Sequence, residues 1–341
     1  MDDPVLGFFH RWVDEFAKHC EHVHVVCLKE GRHDLPANVS VHSLGKSGNA
    51  PADSRGVGAR IVSRIKYVSH FYRYIIALSG EYDAVFVHMN PEYVFLGGWF
   101  WRLTRKRVGL WYVHKSVASY LRLAEFFADV IFTANSSSIR LKSSKVVPVG
   151  HGIDTAMFKP RTEAGDASLR ILTIGRISPS KRVIEMPQVL DVLHERGTPF
   201  TFAIAGGPIT SADKSYEALV RTEIARRPYA TSVHLLGPVS HDAVPDLLSQ
   251  SDIFLNLSET GGVDKAVLEA LAASVPTVTT NETFCDMLTP YGLFVDTFSP
   301  EAVADALLRA KSVDMPELRT MVEREHSLPS LIAGIVQKLH G

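Results

Sequence analysis

The sequence contains few of the features that mark secreted, membrane-spanning or metal-bound proteins. Among its 341 residues are only three cysteines, Cys20, Cys27 and Cys285, and none has the spacing of a metal or redox motif. The acidic N-terminus has no signal-peptide pattern. The longest apolar run, residues 93–101, is shorter than the roughly 20 residues that cross a bilayer. These absences predict a cytoplasmic protein in a reducing compartment.

Net charge is also nearly absent, at −1, which argues against a nucleic-acid-binding protein. The charge is nevertheless unevenly distributed along the chain. Residues 1–160 carry 20 Lys and Arg against 14 Asp and Glu, a balance of +6. Residues 161–341 carry 16 against 23, a balance of −7. The basic first half predicts an anionic partner, either a membrane surface or an acidic acceptor.

Two segments of the first half are candidates for that contact. A predicted helix over 57–78 carries arginines beside its apolar positions, and residues 99–107 combine aromatic with basic side chains. Because basic amphipathic helices bind in the interface of a bilayer, one interpretation is contact with the inner face of the cell membrane. The alternative is an ordinary helix that packs on a core and exposes its charged side to water.

Apolar strands that alternate with helices make up most of the sequence, and this order is typical of parallel, doubly wound α/β sheets. The length, together with a hydrophobic content of 46%, allows two such domains. Strands are predicted at 23–28, 39–44, 83–88, 107–114, 129–134, 169–174, 201–205, 233–236, 253–257 and 277–279. Helices are predicted at 8–20, 57–78, 182–196, 215–227, 243–250, 265–274, 300–311 and 329–339.

The polar segment 161–168 divides the chain into two predicted domains. We expect a first domain over 1–160, a second over 161–325, and a C-terminal helix over 326–341 that lies back across the first domain. The first domain begins with a helix, where folds of this type begin with a strand in the middle of the sheet. We therefore expect the chain to lack a strand between those at 23–28 and 83–88. These two strands then either pair directly or leave an open gap.

The most informative stretch runs from residue 256 to residue 279. It contains the end of an apolar strand, the paired glycines Gly261 and Gly262, an expected N-cap at Asp264, and a helix that ends before Pro276. A glycine turn that leads into a helix N-terminus binds anions through its free N–H groups and the helix dipole. Glu269 lies on this otherwise apolar helix, where a buried carboxylate requires hydrogen-bond donors. The alternative is a solvated surface glutamate.

This stretch, read as G-G-V-D-K-A-V-L-E-A, resembles the donor-site motif of the retaining glycosyltransferases of family 4. It is similar to the variant that reads T-G-S/G-x-D-K-x-V-L-E-A. The first glutamate of the commoner motif falls on Gly261, and whether Glu259 replaces that carboxylate is left open. The resemblance implies the GT-B fold, in which two Rossmann-like doubly wound domains face a cleft. It also implies transfer of a sugar from a nucleoside diphosphate with retention of configuration.

The resemblance further implies roles for residues of the second domain. Arg176 and Lys181 match the segment that grips the donor diphosphate, and Glu269 matches the acceptor of hydrogen bonds from the ribose. The remaining donor-side residues implied are Gly261, Gly262 and Lys265 at the sugar or phosphate, and Val239 at the base. The chain has no Asp-x-Asp pair, so we expect fixed cations rather than a metal to stabilise the leaving diphosphate. The alternative for Arg176 and Lys181 is a pair of solvated loop charges.

In the first domain, histidines close two predicted strands, where ligands bind in such sheets. His114 matches the family position near the transferred sugar and is the candidate catalytic residue. His88 and Asn90 are candidates for the acceptor or sugar side, although a strand-end histidine is more often structural. The segment Gly150-His151-Gly152-Ile153-Asp154 matches the family segment at the crossing between the domains. No protein nucleophile is assigned.

These observations predict a metal-independent glycosyltransferase without a cofactor, whose co-substrate is a nucleoside diphosphate sugar. The expected acceptor is a lipid, a glycan or a small molecule, as in cell-envelope glycan biosynthesis. Two alternatives are kept. One is a catalytically silent nucleotide-sugar-binding or scaffold protein, which the missing strand and Gly261 favour. The other is a GT-B sugar-nucleotide epimerase, which shares the fold but not the basic first half.

Overall fold

The computed structural model describes residues 7–46, 57–114, 116–160, 168–258 and 262–341. The chain divides into two compact units. The first unit consists of residues 1–149 and 329–341, and the second of residues 150–328. Residues 150–160 thus belong to the second unit, whereas the sequence pattern predicts them in the first domain. Residues 326–328 also belong to the second unit, whereas the sequence pattern predicts them in the C-terminal helix.

The first unit alternates helices and strands, and its described strand pairs are parallel. Its elements are α1 (Phe9–His19), β1 (Val23–Cys27), β2 (Val39–Ser43), α2 (Val57–Ala77), β3 (Ala84–His88), α3 (Pro91–Leu103), β4 (Arg107–Trp111), α4 (Ser119–Phe127), β5 (Val130–Thr133) and β6 (Val146–Pro148). The chain returns to this unit through α12 (Leu328–His340), in which Leu331, Ile332, Ile335 and Leu339 are buried.

The strands of the first unit form two separate sheets. Strands β1 and β2 pair only with each other, and the other sheet has the order β3-β4-β5-β6. In the described part of the chain β1 and β3 therefore do not pair, so the expected alternative of direct pairing is wrong. The aromatic side chains of α1 pack on the four-stranded sheet. Measured between ring centroids, Trp12 lies 5.1 Å from Trp111 of β4 and Phe16 lies 5.1 Å from Phe86 of β3.

Helices α3 and α4 were not predicted from the sequence, although α3 contains the apolar run at 93–101. One glycine allows these two helices to approach each other, and a second makes room for a ring of α3 itself. A Cβ atom on Gly98 would lie 2.4 Å from Phe127 of α4, and one on Gly97 would lie 2.5 Å from the ring of Trp101. The glycines weaken the intrinsic preference for helix, but they allow close contact between helices, and the tertiary packing decides the structure here.

The second unit is a five-stranded parallel sheet with the order β11-β10-β7-β8-β9. Its strands are β7 (Leu169–Ile174), β8 (Phe200–Ala205), β9 (Val233–Gly237), β10 (Ile253–Asn256) and β11 (Thr277–Thr279). Its helices are α5 (Met186–Glu195), α6 (Ser211–Ala225), α7 (Val244–Ser249), α8 (Lys265–Ala272), α9 (Cys285–Leu288), α10 (Pro300–Ala310) and α11 (Pro316–His326). Because β8 and β10 lie on opposite sides of β7, the chain reverses its direction across the sheet at β7.

Several predicted helix boundaries were wrong. Helix α5 begins at Met186 rather than at residue 182, because Arg182 has a φ of 51° and two short 3-10 turns precede the helix. Helix α6 begins at Ser211 rather than at residue 215, since Thr210 and Asp213 form a capping box there. Helix α11 was not predicted at all. The boundaries around Asp264 were predicted correctly, because α8 begins at Lys265 with Asp264 as its N-cap.

The second unit is closed by contacts between its first and last residues. The N–H of Ile153 donates to the carbonyl of His326 at 2.7 Å, and the N–H of Leu328 donates to the carbonyl of Ile153 at 2.8 Å. Gly150 has a φ of +85°, and a Cβ atom there would lie 2.1 Å from the carbonyl oxygen of Glu325. Only glycine fits at this position.

No helix in the described residues is both long and apolar enough to cross a membrane.

Two histidines of this closure, His151 and His326, have a lowered pKa. Burial is the largest cause for both. For His151, burial, the charge of Lys265 and the proximity of His326 together lower the pKa from 6.5 to about 4. Because the folded-state pKa lies below the unfolded value, the unfolded chain binds more protons between these two pH values. The contribution of His151 to stability is therefore present above pH 6.5 and is lost as the pH falls towards 4.

We expect His151→Gln to reduce the acid sensitivity of the unfolding free energy. The pKa difference corresponds to about 3 kcal/mol lost by the native protein between pH 6.5 and pH 4, and glutamine cannot take up that proton. Urea unfolding at several pH values measures the effect, with the exposed His234→Gln as the matched control. Parallel pH profiles of His151→Gln and the unsubstituted protein would contradict the expectation.

Candidate functional site

A pocket lies where the sheet of the second unit reverses direction, between the carboxyl ends of β7 and β10. It is lined at the β7 end by Gly175, Arg176 and Lys181, and at the β10 end by Asn256 and Leu257. In open parallel sheets, ligands bind at the carboxyl ends of the strands at such a switch point. The topology therefore identifies this pocket as the candidate site and places both predicted cations, Arg176 and Lys181, on its wall.

The loops after β7 and β8 approach each other closely beside this pocket. Gly206 has a φ of +139°, and a Cβ atom at this residue would lie 1.8 Å from the carbonyl oxygen of Gly175. The N–H of Gly175 also donates to the carbonyl of Ala205 at 2.9 Å. Any side chain at Gly206 would displace the turn that carries Arg176.

Asp264 connects the two strand ends that form the pocket. Its carboxylate accepts hydrogen bonds from Asn256 Nδ2 and Ser258 Oγ, both at 2.8 Å, and pairs with the ammonium group of Lys181. The same side chain caps α8 by accepting from the N–H of Ala266 at 3.3 Å. Burial alone would raise the pKa of Asp264, but Lys181 and these donors hold it below its ordinary value. Asp264 is therefore a structural anion at the start of the helix.

Glu269 lies one turn into α8 and is buried, with 4% of its surface exposed. Its Oε1 lies 2.8 Å from His241 Nε2 and 3.1 Å from Lys265 Nζ. Burial would raise the pKa of this carboxyl, but Lys265 and His241 outweigh that effect and lower it. Glu269 is therefore an ionised carboxylate inside the protein, and the solvated surface glutamate considered as its alternative is excluded.

The three predicted cations differ in their environments. Lys181 and Lys265 each pair with a buried carboxylate, Asp264 and Glu269 respectively. Arg176 is exposed at the pocket. Hydrogen bonding from Thr210 is the main cause of the lowered pKa of Asp213, and the charge of Arg176 adds to it. An incoming anion would therefore meet Arg176 directly and the lysines through their ion pairs.

The other predicted donor-side residues have varied positions. Gly261 lies outside the described residues, as does Glu259. The carbonyl of Gly262 accepts a hydrogen bond from Asn281 Nδ2 at 3.1 Å, which fixes the turn before α8. Val239 follows β9 and packs partly buried against the core, two residues before His241.

Two histidines near Glu269 were not predicted as site residues. His241 contacts Glu269 from a short 3-10 turn after β9, and His151 is close enough to Lys265 and Glu269 for their charges to affect its pKa. The sequence offered a weak signal for each. His241 follows the turn Gly237-Pro238, and His151 stands between two glycines in the segment that resembles the family crossing. Neither spacing indicated a contact with Glu269.

In the first unit the predicted histidines share one edge of the sheet. His88 ends β3 and is paired in register with Trp111 of the adjacent β4, and His114 follows three residues after Trp111. The ring of His88 packs against Phe9 of α1 with centroids 4.6 Å apart. His114 is exposed, and its Nδ1 accepts from the N–H of Ser116 at 3.0 Å. Asn90 is also exposed and donates to the carbonyl of His88 at 2.9 Å.

The site in the second unit has the chemistry of an anion-binding site with a buried acceptor. The N-terminus of α8, Arg176 and two lysines supply positive charge, while Glu269 supplies a fixed negative oxygen beneath them. A diphosphate can pair with the positive groups. Hydroxyl groups can donate hydrogen bonds to the ionised carboxylate of Glu269 if its present donors move away or share its oxygens with them.

Comparison with known proteins agrees with this description of the second unit. Residues 168–312 match the model of the family described as "Glycosyl transferases group 1". Within the curated proteins, the chain is 30% identical over 144 residues to a phosphatidylinositol N-acetylglucosaminyltransferase subunit of Arabidopsis thaliana. It is 27% identical over 130 residues to the GPI3 subunit of the corresponding Saccharomyces cerevisiae transferase. These matches cover 41% and 36% of this chain, and only 30% and 27% of the two relatives.

Solved structures resemble the chain over nearly its whole length. Anabaena HepE in complex with UDP and glucose has a TM-score of 0.72 at 15% identity, over 97% of this chain and 95% of that one. A glycosyltransferase from Rickettsia africae has a TM-score of 0.71 at 12% identity, over 100% and 96%. Sucrose-phosphate synthase from Thermosynechococcus elongatus has a TM-score of 0.71 at 14% identity, over 97% and 91%. The chain therefore has the GT-B fold of these structures, and its residues 168–312 match the glycosyltransferase group 1 model.

Proposed function

We propose that this protein transfers a sugar from a nucleoside diphosphate to a lipid, glycan or small-molecule acceptor in the cytoplasm, with retention of configuration and without a metal. The observation that carries the proposal is the cationic pocket at the switch point of a domain that matches group 1 glycosyltransferases. HepE has been solved with UDP and with UDP-glucose, which supports a nucleotide sugar as the donor. The names of the curated relatives support a lipid acceptor based on an anionic phospholipid.

The charges of the pocket suit the departure of a nucleoside diphosphate. Negative charge develops on the leaving phosphate when the bond to the sugar breaks, and groups already in place stabilise it without reorganisation. Arg176 meets the diphosphate first. Lys181 and Lys265 contribute through their pairs with Asp264 and Glu269, which hold both ammonium groups near the N-terminus of α8.

Glu269 is the proposed acceptor of hydrogen bonds from the ribose hydroxyls. Its carboxylate is ionised and held in a single place by Lys265 and His241. Main-chain groups near Gly261 and Gly262 would contact the sugar or phosphate, and those near Val239 the base. In the first unit, His114 is the proposed catalytic residue beside the transferred sugar, with His88 and Asn90 towards the acceptor.

A second candidate is a protein that binds a nucleotide sugar without turning it over. The specific observation in its favour is that Lys181 and Lys265 are already neutralised by buried carboxylates, so that Arg176 is the only predicted cation that faces the pocket without a described carboxylate partner. Such a site could bind a diphosphate and yet stabilise its departure poorly.

The release of free nucleotide from a panel of nucleotide sugars distinguishes the two candidates. A transferase that lacks its acceptor hydrolyses its own donor slowly, so we expect one donor to release nucleotide above the uncatalysed rate. The control is Arg176→Gln, which should lower that rate by about tenfold or more, as loss of one charged contact does. Saturable binding of a donor without any release would favour the silent protein.

We expect Glu269→Gln to weaken donor binding by about tenfold, because a neutral amide accepts hydrogen bonds from hydroxyls less strongly than a carboxylate. Calorimetric titration of the donor measures this effect. The exposed Glu195→Gln provides the matched control and should bind donor normally. The fold should persist with a modestly lower melting temperature, since Lys265 loses its charged partner. Complete loss of folding would instead assign Glu269 a structural role alone.

We expect donor affinity to be the same with and without EDTA. Arg176, Lys181 and Lys265 provide the positive charge that Mg²⁺ provides in metal-dependent transferases, and the chain contains no Asp-x-Asp pair to hold such an ion. Parallel titrations with EDTA and with added Mg²⁺ measure the difference. A loss of affinity greater than about tenfold on chelation would show that the site uses a metal.

A further inference from the structure

Three helices of the first unit expose large apolar side chains that the core does not use. On α3 the exposed fractions are 38% for Phe95, 51% for Trp99 and 76% for Leu103. On α4, Tyr120, Leu123 and Phe126 are likewise exposed, and on α2 the exposed residues are Ile61, Val62, Ile65 and Ile76. Because Phe95, Trp99 and Leu103 are four residues apart, they form one stripe along α3.

These helices already have separate buried faces. Val94 and Trp101 of α3 and Leu121 and Ala124 of α4 are buried in the core of the first unit. The exposed stripe therefore does not serve the packing of these helices on the sheet. The alternative considered from the sequence, a helix whose second side is simply charged and solvated, does not describe α3, whose outer side is mostly apolar.

Side-chain contacts on the outer side connect α3 to both α2 and α4. Trp99 of α3 packs on Tyr72 of α2 with ring centroids 6.3 Å apart, and its Nε1 donates to the Tyr72 hydroxyl at 3.3 Å. On the α4 side, the guanidinium of Arg102 lies 4.6 Å from the centre of the Phe126 ring. Ile65 and Ile76 lie seven residues before and four after Tyr72, and hence on the same side of α2.

The part of the sequence that carries this apolar surface has an excess of positive charge. Residues 55–145 contain 14 Lys and Arg but only 5 Asp and Glu, an excess of 9 positive charges. Arg102, Arg105 and Arg122 are exposed on or beside α3 and α4. An anionic bilayer matches both features, because it has an apolar interior beneath a layer of negatively charged headgroups. Aromatic side chains lie at the level of the lipid headgroups, and each Lys or Arg near an anionic surface adds attraction.

We propose that the surface formed by the exposed apolar residues of α2, α3 and α4 binds to an anionic lipid bilayer. Trp99, Leu103, Leu123 and Phe126 enter the headgroup region, while Arg105 and Arg122 contact lipid phosphates. The proposal rests on the proposed function and extends it, because a protein bound at the bilayer surface would reach an acceptor that is held in the membrane. Docking itself needs neither donor nor acceptor.

Tryptophan fluorescence gives a direct test, because the chain has four tryptophans and three of them are buried. Trp12, Trp101 and Trp111 are at most 2% exposed, so Trp99 is the one that solvent or lipid reaches. The full-length protein is mixed with vesicles of phosphatidylcholine alone or of phosphatidylcholine with about 40% phosphatidylglycerol. We expect the emission to shift to shorter wavelength with the anionic vesicles only, and Trp99→Phe to abolish the shift while the protein still co-sediments.

The chain offers matched variants for the sedimentation assay. Leu103→Ser with Leu123→Ser removes two leucines of the surface. Leu219→Ser with Leu236→Ser removes two comparably exposed leucines of the second unit. We expect the first pair to weaken vesicle binding by about tenfold or more, and the second pair to leave it unchanged. Arg105→Gln with Arg122→Gln should weaken binding to anionic vesicles similarly, and added salt should have the same effect.

Three outcomes would overturn the proposal. One is that the protein does not bind anionic vesicles. Another is that the two leucine pairs weaken vesicle binding equally. The third is a dimer in solution that Leu103→Ser with Leu123→Ser dissociates, because the surface would then join two copies of the chain. Donor hydrolysis measured without vesicles separates this proposal from the proposed function. Donor hydrolysis without vesicle binding would overturn only the proposed membrane surface. Vesicle binding without donor hydrolysis would overturn only the proposed transferase activity.

Discussion

The site of the second unit depends on one largely buried carboxylate, that of Asp264, whose side chain is 11% exposed. It receives hydrogen bonds from Asn256 and Ser258 at the end of β10, pairs with Lys181 from the loop after β7, and caps the first turn of α8. A buried charge is tolerated only with such a set of partners. Since these partners come from different segments, satisfying this charge fixes the position of the strand end, the loop and the helix together.

The same constraint determines the position of Glu269. Asp264 caps helix α8, which begins at Lys265, so Glu269 one turn later faces a fixed direction, here towards His241 and Lys265. Both carboxylates remain ionised inside the protein because each has a lysine beside it. In the two ion pairs, the positive charges of Lys181 and Lys265 lie near the helix N-terminus and are balanced by the two carboxylates. Arg176 remains at the pocket wall as the exposed cation.

The two units use the parallel α/β arrangement differently. In the second unit a continuous sheet reverses direction at β7 and creates a pocket at that point. In the first unit the strands are divided between two sheets, and helices α2, α3 and α4 expose apolar side chains beside an excess of positive charge. The charge asymmetry along the sequence thus coincides with a difference in surface character, and the basic half is the one with the apolar surface.

The sequence by itself determined the alternating α/β class, most strands to within two residues, and the cap and start of α8, because these depend on local pattern and on one capping side chain. It also indicated Arg176, Lys181, Lys265 and Glu269 through a motif. Tertiary structure alone decided that Lys181 pairs with Asp264 and that His241 contacts Glu269, since these contacts join residues 83 and 28 positions apart in the chain.

Tertiary structure likewise decided that the glycine-containing run at 93–101 is a helix, because Gly98 gains contact with Phe127 only when α4 is in place. Local pattern carries no information about such distant partners. The charge states of Asp264 and Glu269 depend both on burial and on the lysines paired with them. Neither condition exists before the sheet has assembled.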